Sequence, residues 1–151
     1  MQKLNLPSFK YRLKVEGEKS KIFDPIRKKF VVLTPEEWVR QHFLNYMTLL
    51  NYPPSLIAVE KLVTVNNLKQ RADIVMFNKK GSPVLIVECK APTIKITDAV
   101  LNQAARYNIS LGVKYLTVTN GITTYCIKLK RETNDVSILK SMPNIEDVNS
   151  S

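Results

Sequence analysis

A carboxylate and an amine end an apolar run near the middle of the chain. Glu88 and Lys90 follow the aliphatic residues 84–87, and the β-branched composition, with Pro83 and Pro92 at the two ends of the stretch, predicts a buried central strand. Side chains alternate faces along a strand, so Glu88 and Lys90 would project together. Buried charges are costly unless they are paired or bind a metal. The pattern therefore indicates either a weak ion pair at the solvated end of the strand or a metal-dependent active site.

An aspartate interrupts the preceding apolar stretch. Asp73 lies within residues 72–77, whose composition predicts a strand, and aspartate is depleted in strands. A structural ion pair with Arg71 or Lys69 would explain its presence. Metal ligation beside Glu88 is the functional alternative.

Two adjacent glutamates open a predicted helix. Thr34 is a good N-cap, a proline follows it at the first helical position, and residues 51–54 end the helix. Glu37 is placed to complete a capping box, whereas Glu36 lies on the inward stripe that includes Val39. Glu36 is thus the better functional candidate, although both acids would also complement the helix dipole.

The remaining elements predict an α/β fold with one mixed sheet. Strands are predicted at residues 56–65, 72–77, 84–90, 113–119 and 122–129. Short connections, including a hairpin-like loop at 66–70, join the first three as an antiparallel meander. A helix opened by Thr97 then crosses over, so the fourth strand would run parallel to the Glu88 strand. The turn at Asn120 and Gly121 brings the fifth strand back antiparallel.

The crossover helix presents two polar side chains together. Gln103 and Tyr107 are four residues apart and therefore share a face. Polar groups on a packed helix need partners, so these two either bond neighbouring backbone or border a site.

The composition of the 151 residues narrows the chemistry. A net charge of +10 favours nucleic acid or another anionic partner, with a solubilising lysine-rich surface as the alternative. His42 is the single histidine, which excludes most catalytic and metal-binding sites built from histidines. Cys89 and Cys126 lie within apolar stretches and are expected to be buried free thiols. The sequence has no signal-peptide pattern and no membrane-spanning run, so a cytoplasmic location without membrane association is expected.

The two ends of the chain differ from its middle. Residues 1–33 are predicted to form a basic arm that packs on the domain, with possible edge strands at 11–15 and 30–33. Residues 34–130 would form the α/β domain, and 131–151 a polar C-terminal tail.

The ordered set of motifs resembles the PD-(D/E)xK nuclease superfamily in its RecB-like branch, with Asp73, Glu88-x-Lys90 and Gln103-x-x-x-Tyr107 in the signature positions. More closely, four segments resemble the nuclease domain at the N-terminus of type I restriction enzyme R subunits. These segments are residues 34–41, 71–75, 87–92 and 103–108. Two departures stand out. Arg71-Ala72 replaces the literal proline and acid before Asp73, and the sequence contains no Gly-x-x-x-x-Gly-Lys-[Ser/Thr] phosphate loop of a DNA-translocating motor.

The resemblance implies a restriction-endonuclease-like core and a Mg²⁺-dependent or Mn²⁺-dependent DNA endonuclease. Hard divalent cations prefer oxygen ligands, neutralise a phosphate and lower the pKa of water. The implied metal ligands are Asp73, Glu88, the backbone carbonyl of Cys89, and Glu36. Lys90 would position the attacking water or stabilise developing charge, and Gln103 and Tyr107 would line the site.

The resemblance also implies DNA as partner. Candidate phosphate contacts are Arg71, Arg106, Arg27, Lys28 and Lys29. A separate motor or specificity subunit and a homodimer are further possibilities. The alternative is a catalytically inactive relative that binds nucleic acid or protein, or an interaction module in which Glu88 and Lys90 form only a structural ion pair.

Overall fold

The computed structural model describes residues 1–149, and Ser150 and Ser151 at the end of the predicted tail lie outside the described part. Three strands come first, namely β1 (Leu13–Glu16), β2 (Lys19–Asp24) and β3 (Lys29–Val32), followed by α1 (Pro35–Leu49). A short 3₁₀ turn, Pro54–Leu56, then leads into β4 (Ile57–Val65), β5 (Leu68–Phe77), β6 (Pro83–Cys89), α2 (Asp98–Leu111), β7 (Tyr115–Thr119), β8 (Thr124–Lys130), β9 (Asp135–Leu139) and α3 (Ile145–Asn149).

A six-stranded mixed sheet in the order β4-β5-β6-β7-β8-β9 forms the centre of the fold. β4, β5 and β6 are an antiparallel meander, β7 runs parallel to β6 after the α2 crossover, and β8 returns antiparallel. The predicted α/β class, meander and crossover are confirmed. The first hairpin is tighter than predicted, because Asn66 and Asn67 both adopt positive φ and β5 already begins at Leu68.

Each face of this sheet carries its own apolar core. On one face, α1 packs Phe43 and Met47 against strand residues such as Ile74 and Leu85. On the other face, the strands pack residues such as Ile86 against α2. The alternation along β5 and β6 therefore buries both faces, as expected for strands at the centre of an α/β fold. Within residues 1–149, no helix combines the length and the apolar composition that crossing a membrane requires.

The N-terminal region forms a second sheet in the order β1-β2-β3. The predicted strands at 11–15 and 30–33 correspond to β1 and β3, but both pair with β2 and not with the main sheet. β2 itself was not predicted, because its sequence, KSKIFD, contains only two apolar residues. One of these, Ile22, is fully buried and joins the core beneath α1.

The segment predicted as a polar tail contributes to the main sheet and to the core. β9 pairs antiparallel with β8, and beyond it Met142 and Val148 are buried. The Tyr52 hydroxyl donates a hydrogen bond to the carbonyl of Pro143, which ties this segment to the chain after α1. The sequence did not predict β9, because it is an outer strand whose residues are almost all exposed and show no apolar alternation.

Candidate active site

The site begins where β5 and β6 separate. Their ladder runs as far as the pair of Ile74 with Val87, and the next residue of β5 is Asp73. Its Oδ2 accepts a hydrogen bond of 2.7 Å from the backbone N–H of Cys89. A carboxylate therefore satisfies a strand N–H at the point where the ladder ends, and this bond fixes the orientation of Asp73.

A backbone distortion in β4 brings a second carboxylate to the same place. Glu60 has a φ of +53° and lies between the regular pairs that Val59 and Lys61 form with β5. Val59 packs against the core beneath α1, whereas Val63 enters the core beneath α2. Residues four apart in a regular strand share a face, so β4 changes face at Glu60.

Helix α1 supplies the third carboxylate and a cation. Glu36 and Arg40 are one turn apart, and the Arg40 side chain is only 4% exposed. Its Nη2 lies 2.9 Å from Glu36 Oε1, 2.5 Å from Glu60 Oε1 and 2.9 Å from Asp73 Oδ1. One oxygen from each of the three carboxylates lies within 4.8 Å of the others. We refer to Glu36, Glu60 and Asp73 as the acid cluster.

The electrostatics of the acid cluster follow from this crowding. Burial and the charge of Asp73 raise the pKa of Glu36, and the nearby Arg40 opposes this shift. Burial alone would lower the pKa of Arg40, but the charges of Glu37 and Asp73 and the hydrogen bond to Asp73 outweigh it and raise that pKa. The guanidinium thus remains charged and offsets repulsion among the acids.

The two glutamates at the start of α1 have separate surroundings. Thr34 caps the helix by accepting a hydrogen bond of 3.0 Å from the backbone N–H of Glu37. The Glu37 carboxylate is buried and accepts from Arg27 at 2.8 Å, Arg40 Nη1 at 2.6 Å and Gln41 at 3.0 Å. Glu36, in contrast, belongs to the acid cluster. Glu37 therefore holds the Arg40 guanidinium through Nη1, while Nη2 contacts the acid cluster.

Glu88 and Lys90 form an ion pair of 2.9 Å, and their side chains are 29% and 27% exposed. Of the predicted ligand carboxylates, Glu36 is grouped with Asp73, and the third member of the group is Glu60, which was not among the predicted ligands, rather than Glu88. Asp73 is held by Arg40 and the Cys89 N–H, while Glu88 is held by Lys90. The thiols of Cys89 and Cys126 are free and buried, as predicted, and burial raises the pKa of both.

The polar pair on α2 lies on an exposed face. Gln103 and Tyr107 line a shallow groove together with Arg106. The Tyr107 hydroxyl donates a hydrogen bond to the backbone carbonyl of Lys69 in β5. Of the two alternatives left open by the sequence, this tyrosine follows the first, since it bonds neighbouring backbone and fixes α2 against β5.

The predicted phosphate contacts are one partly buried residue and four exposed ones. Arg27 is partly buried, because its side chain is 18% exposed and bridges Asp24 and Glu37. Arg71 is 65% exposed and pairs with Glu60 at 2.8 Å. Lys28, Lys29 and Arg106 are also exposed. Arg27 thus has a structural role through its two ion pairs, and the side chains of the other four residues face solvent.

Sequence reasoning missed Glu60 and Arg40. Glu60 gave a weak signal, a charged residue within a strand, and its positive φ is a product of the folded structure. The sequence signal for Arg40 was stronger, since Arg40 follows Glu36 by four residues and Glu37 by three. Side chains at these spacings are neighbours on a helix.

The fold and the acid cluster together define a mixed-sheet α/β domain with an acidic site where the pairing of β5 with β6 ends. The fold is similar to a solved structure described as the fragment structure of a putative HsdR subunit of a type I restriction enzyme from Vibrio vulnificus YJ016, with a TM-score of 0.54 and 19% sequence identity. The match covers 78% of this chain and 25% of that chain, so this chain spans about a quarter of its length. No curated protein sequence gives a significant match.

The family comparison gives a more specific result. Residues 35–143 match the family model described as "Type I restriction enzyme R protein N terminus". The matched region includes α1, the whole main sheet and the acid cluster. The chain belongs to this family.

Proposed function

We propose that this protein is a Mg²⁺-dependent DNA endonuclease of the PD-(D/E)xK kind. The acid cluster is the observation that carries the proposal, because three carboxylates converge where the pairing of β5 with β6 ends, in a chain of the restriction enzyme R family. Membership in that family independently supports a nuclease-like role.

The donor set of the acid cluster fits a hard divalent cation. Mg²⁺ and Mn²⁺ prefer carboxylate oxygens, and one oxygen each from Glu36, Glu60 and Asp73 can approach a common point. A bound cation would neutralise the scissile phosphate and lower the pKa of a water molecule. The Cys89 carbonyl and Glu88, implied by the superfamily resemblance, remain proposed additional ligands.

The residues around the acid cluster have separate proposed roles. The Cys89 N–H orients Asp73, and Glu88 keeps the Lys90 ammonium in place through their 2.9 Å ion pair. Lys90 would hold the attacking water or offset charge on the phosphate as it is attacked. Gln103 would support the DNA backbone from the exposed face of α2, and Tyr107 would hold that helix in place through its hydrogen bond to the Lys69 carbonyl.

DNA is the proposed substrate, in keeping with the net charge of +10. The exposed cations Arg71, Arg106, Lys28 and Lys29 are proposed phosphate contacts. A cytoplasmic location, a separate motor or specificity subunit and a homodimer are likewise proposals.

One observation favours a second function. The acids are already paired with Arg40, and Glu88 with Lys90, so these charges have partners without a metal. Such a site would suit a catalytically inactive domain that binds nucleic acid or another protein.

A cleavage assay distinguishes the two functions. Plasmid and single-stranded DNA are incubated with native protein, Asp73→Asn, Lys90→Ala and the exposed control Lys79→Ala, with Mg²⁺ or Mn²⁺ and with EDTA. We expect metal-dependent cutting by the native protein and Lys79→Ala, and a loss of about 100-fold or more in the two site variants. Cutting that survives Asp73→Asn would contradict this site. DNA binding without any cutting would support the inactive domain.

A further inference from the structure

One nitrogen of Arg40 lies at the centre of the acid cluster. Nη2 is within 2.5 to 2.9 Å of an oxygen of Glu36, Glu60 and Asp73. We propose that Arg40 is a built-in cation that occupies the metal position of the free protein and is displaced from the three carboxylates when a divalent cation binds. This inference rests on the proposed function, since it concerns the same metal site.

The two cations would compete for the same oxygens. Mg²⁺ binds oxygen at about 2.1 Å and requires lone pairs that the Nη2 hydrogens now use. Two positive charges at one point repel each other. Arg40 cannot diffuse away, because it is anchored in α1 and its side chain is only 4% exposed. The metal must therefore displace Nη2 locally.

The surroundings of the guanidinium allow such a local displacement. Nη1 is bonded at 2.6 Å to Glu37, which Arg27 and Gln41 hold from the other side. In the part of the chain that the structure describes, Nε of Arg40 is buried without a hydrogen-bond partner. Rotation about the Nη1 contact would release the acid cluster while keeping the charge paired with Glu37, and would give Nε a chance to gain a partner.

This arrangement predicts two opposite effects of Arg40. Without metal, it holds three crowded carboxylates together and stabilises the fold. With metal, it is a competitor that raises the cation concentration needed for binding, because a ligand must displace the group already present.

Mn²⁺ titration by calorimetry, with thermal unfolding at matched concentrations, tests the proposal. We expect Arg40→Met to unfold at lower temperature than native protein without metal, to bind Mn²⁺ at least about tenfold tighter, and to gain more thermal stability from it. Arg27→Met is the matched control, since it removes a partly buried arginine that also contacts Glu37 but none of the acid cluster. It should lose stability and keep the native affinity.

The outcomes separate this inference from the proposed function. Native protein that binds Mn²⁺ while Arg40→Met binds no tighter would overturn the role of Arg40 and leave the metal site standing. Binding by neither protein would overturn both. If Arg40→Met does not fold, native protein labelled with ¹⁵N-arginine gives the answer, because saturating Mg²⁺ should shift the side-chain signal of Arg40 far more than that of Arg27. An unchanged Arg40 signal under saturating metal would contradict displacement.

Discussion

Next to the acid cluster, a second group of charged side chains holds Arg27, which precedes α1, and Arg40, which lies within α1. Asp24 is fully buried and accepts hydrogen bonds from the backbone of Ile26 and Arg27, from Arg27 Nε at 2.7 Å and from Gln41 at 3.0 Å. Arg27 then reaches Glu37, which holds Arg40. The N-terminal sheet is thereby linked to the candidate site by a continuous chain of charged hydrogen bonds.

Replacing Asp24 with asparagine tests the contribution of this chain to stability. Burial by itself raises the pKa of Asp24, but the hydrogen bonds and the charge of Arg27 outweigh it and lower that pKa below its ordinary 3.8. A lowered folded-state pKa means that the stabilisation is present above about pH 4 and is lost as pH falls through the folded-state value. Asp24→Asn should therefore cost about 3 kcal/mol at pH 7 and clearly less at pH 3, measured by urea unfolding.

The exposed Asp135→Asn serves as the control, since it should change the unfolding free energy little at either pH. A cost for Asp24→Asn that is equal at pH 7 and pH 3 would show that the charge of Asp24 does not stabilise the fold.

At the scale of elements, local signals decided what could be predicted. α1, β6 and the crossover through α2 are predictable because caps, prolines and apolar periodicity are local features of the sequence. β2 and β9 have few buried residues, so their sequences show no clear alternation of apolar and polar residues. These segments become strands because they pair with neighbouring strands in the folded protein. The acid cluster was predictable in part. Asp73 and Glu36 stand out locally, whereas Glu60 reaches them through a backbone distortion that a residue pattern cannot show.

The N-terminal sheet presents a basic face to solvent. Phe23 and Phe30 are opposite each other in neighbouring strands, with their rings 5.3 Å apart. The Arg12 guanidinium lies 4.6 Å from the Phe23 ring centroid, and the Lys14 amine 5.3 Å from that of Phe30. Glu16 is paired with Lys14 and Lys21, and Lys19 in β2 is a further lysine of this sheet. Such a combination of cations and aromatic rings suits a polyanionic strand.

Charge reversal on this sheet should weaken DNA binding. We expect Arg12→Glu with Lys14→Glu to reduce affinity and to lower the slope of log affinity against log salt by about two, one for each lost phosphate contact. Fluorescence anisotropy with a labelled oligonucleotide over a range of salt concentrations measures both quantities. Lys79→Glu with Lys80→Glu, at the exposed turn between β5 and β6, is the matched control with the same change in net charge. Equal effects of the two pairs would indicate that net charge and not this sheet binds DNA.

At the scale of the whole molecule, the core beneath α1 joins the two ends of the chain to its middle. It contains Leu4 and Ile22 as well as Met142 and Val148. Near the N-terminus, the backbone N–H of Asn5 donates to the carbonyl of Gly121 at 2.7 Å. The positive φ of Gly121 and the close approach of Leu4 leave no room for a larger residue there. Residues 34–130, predicted as the domain, therefore contain only part of the core.

Two valines near the C-terminal end test this extension of the core. Val148 in α3 is 0% exposed, whereas Val136 in β9 is 46% exposed, so the same substitution meets opposite surroundings. Val148→Asp buries a charge without a designed partner and should reduce the free energy of unfolding by about 3 kcal/mol or more, whereas Val136→Asp should change it by about 0.5 kcal/mol or less. Urea unfolding followed by tryptophan fluorescence reports directly on the core, since Trp38 is buried in the same cluster. Equal effects would mean that α3 does not stabilise the domain. A large difference would show that the end of the chain helps to hold α1, and with it Glu36 and Arg40, against the sheet.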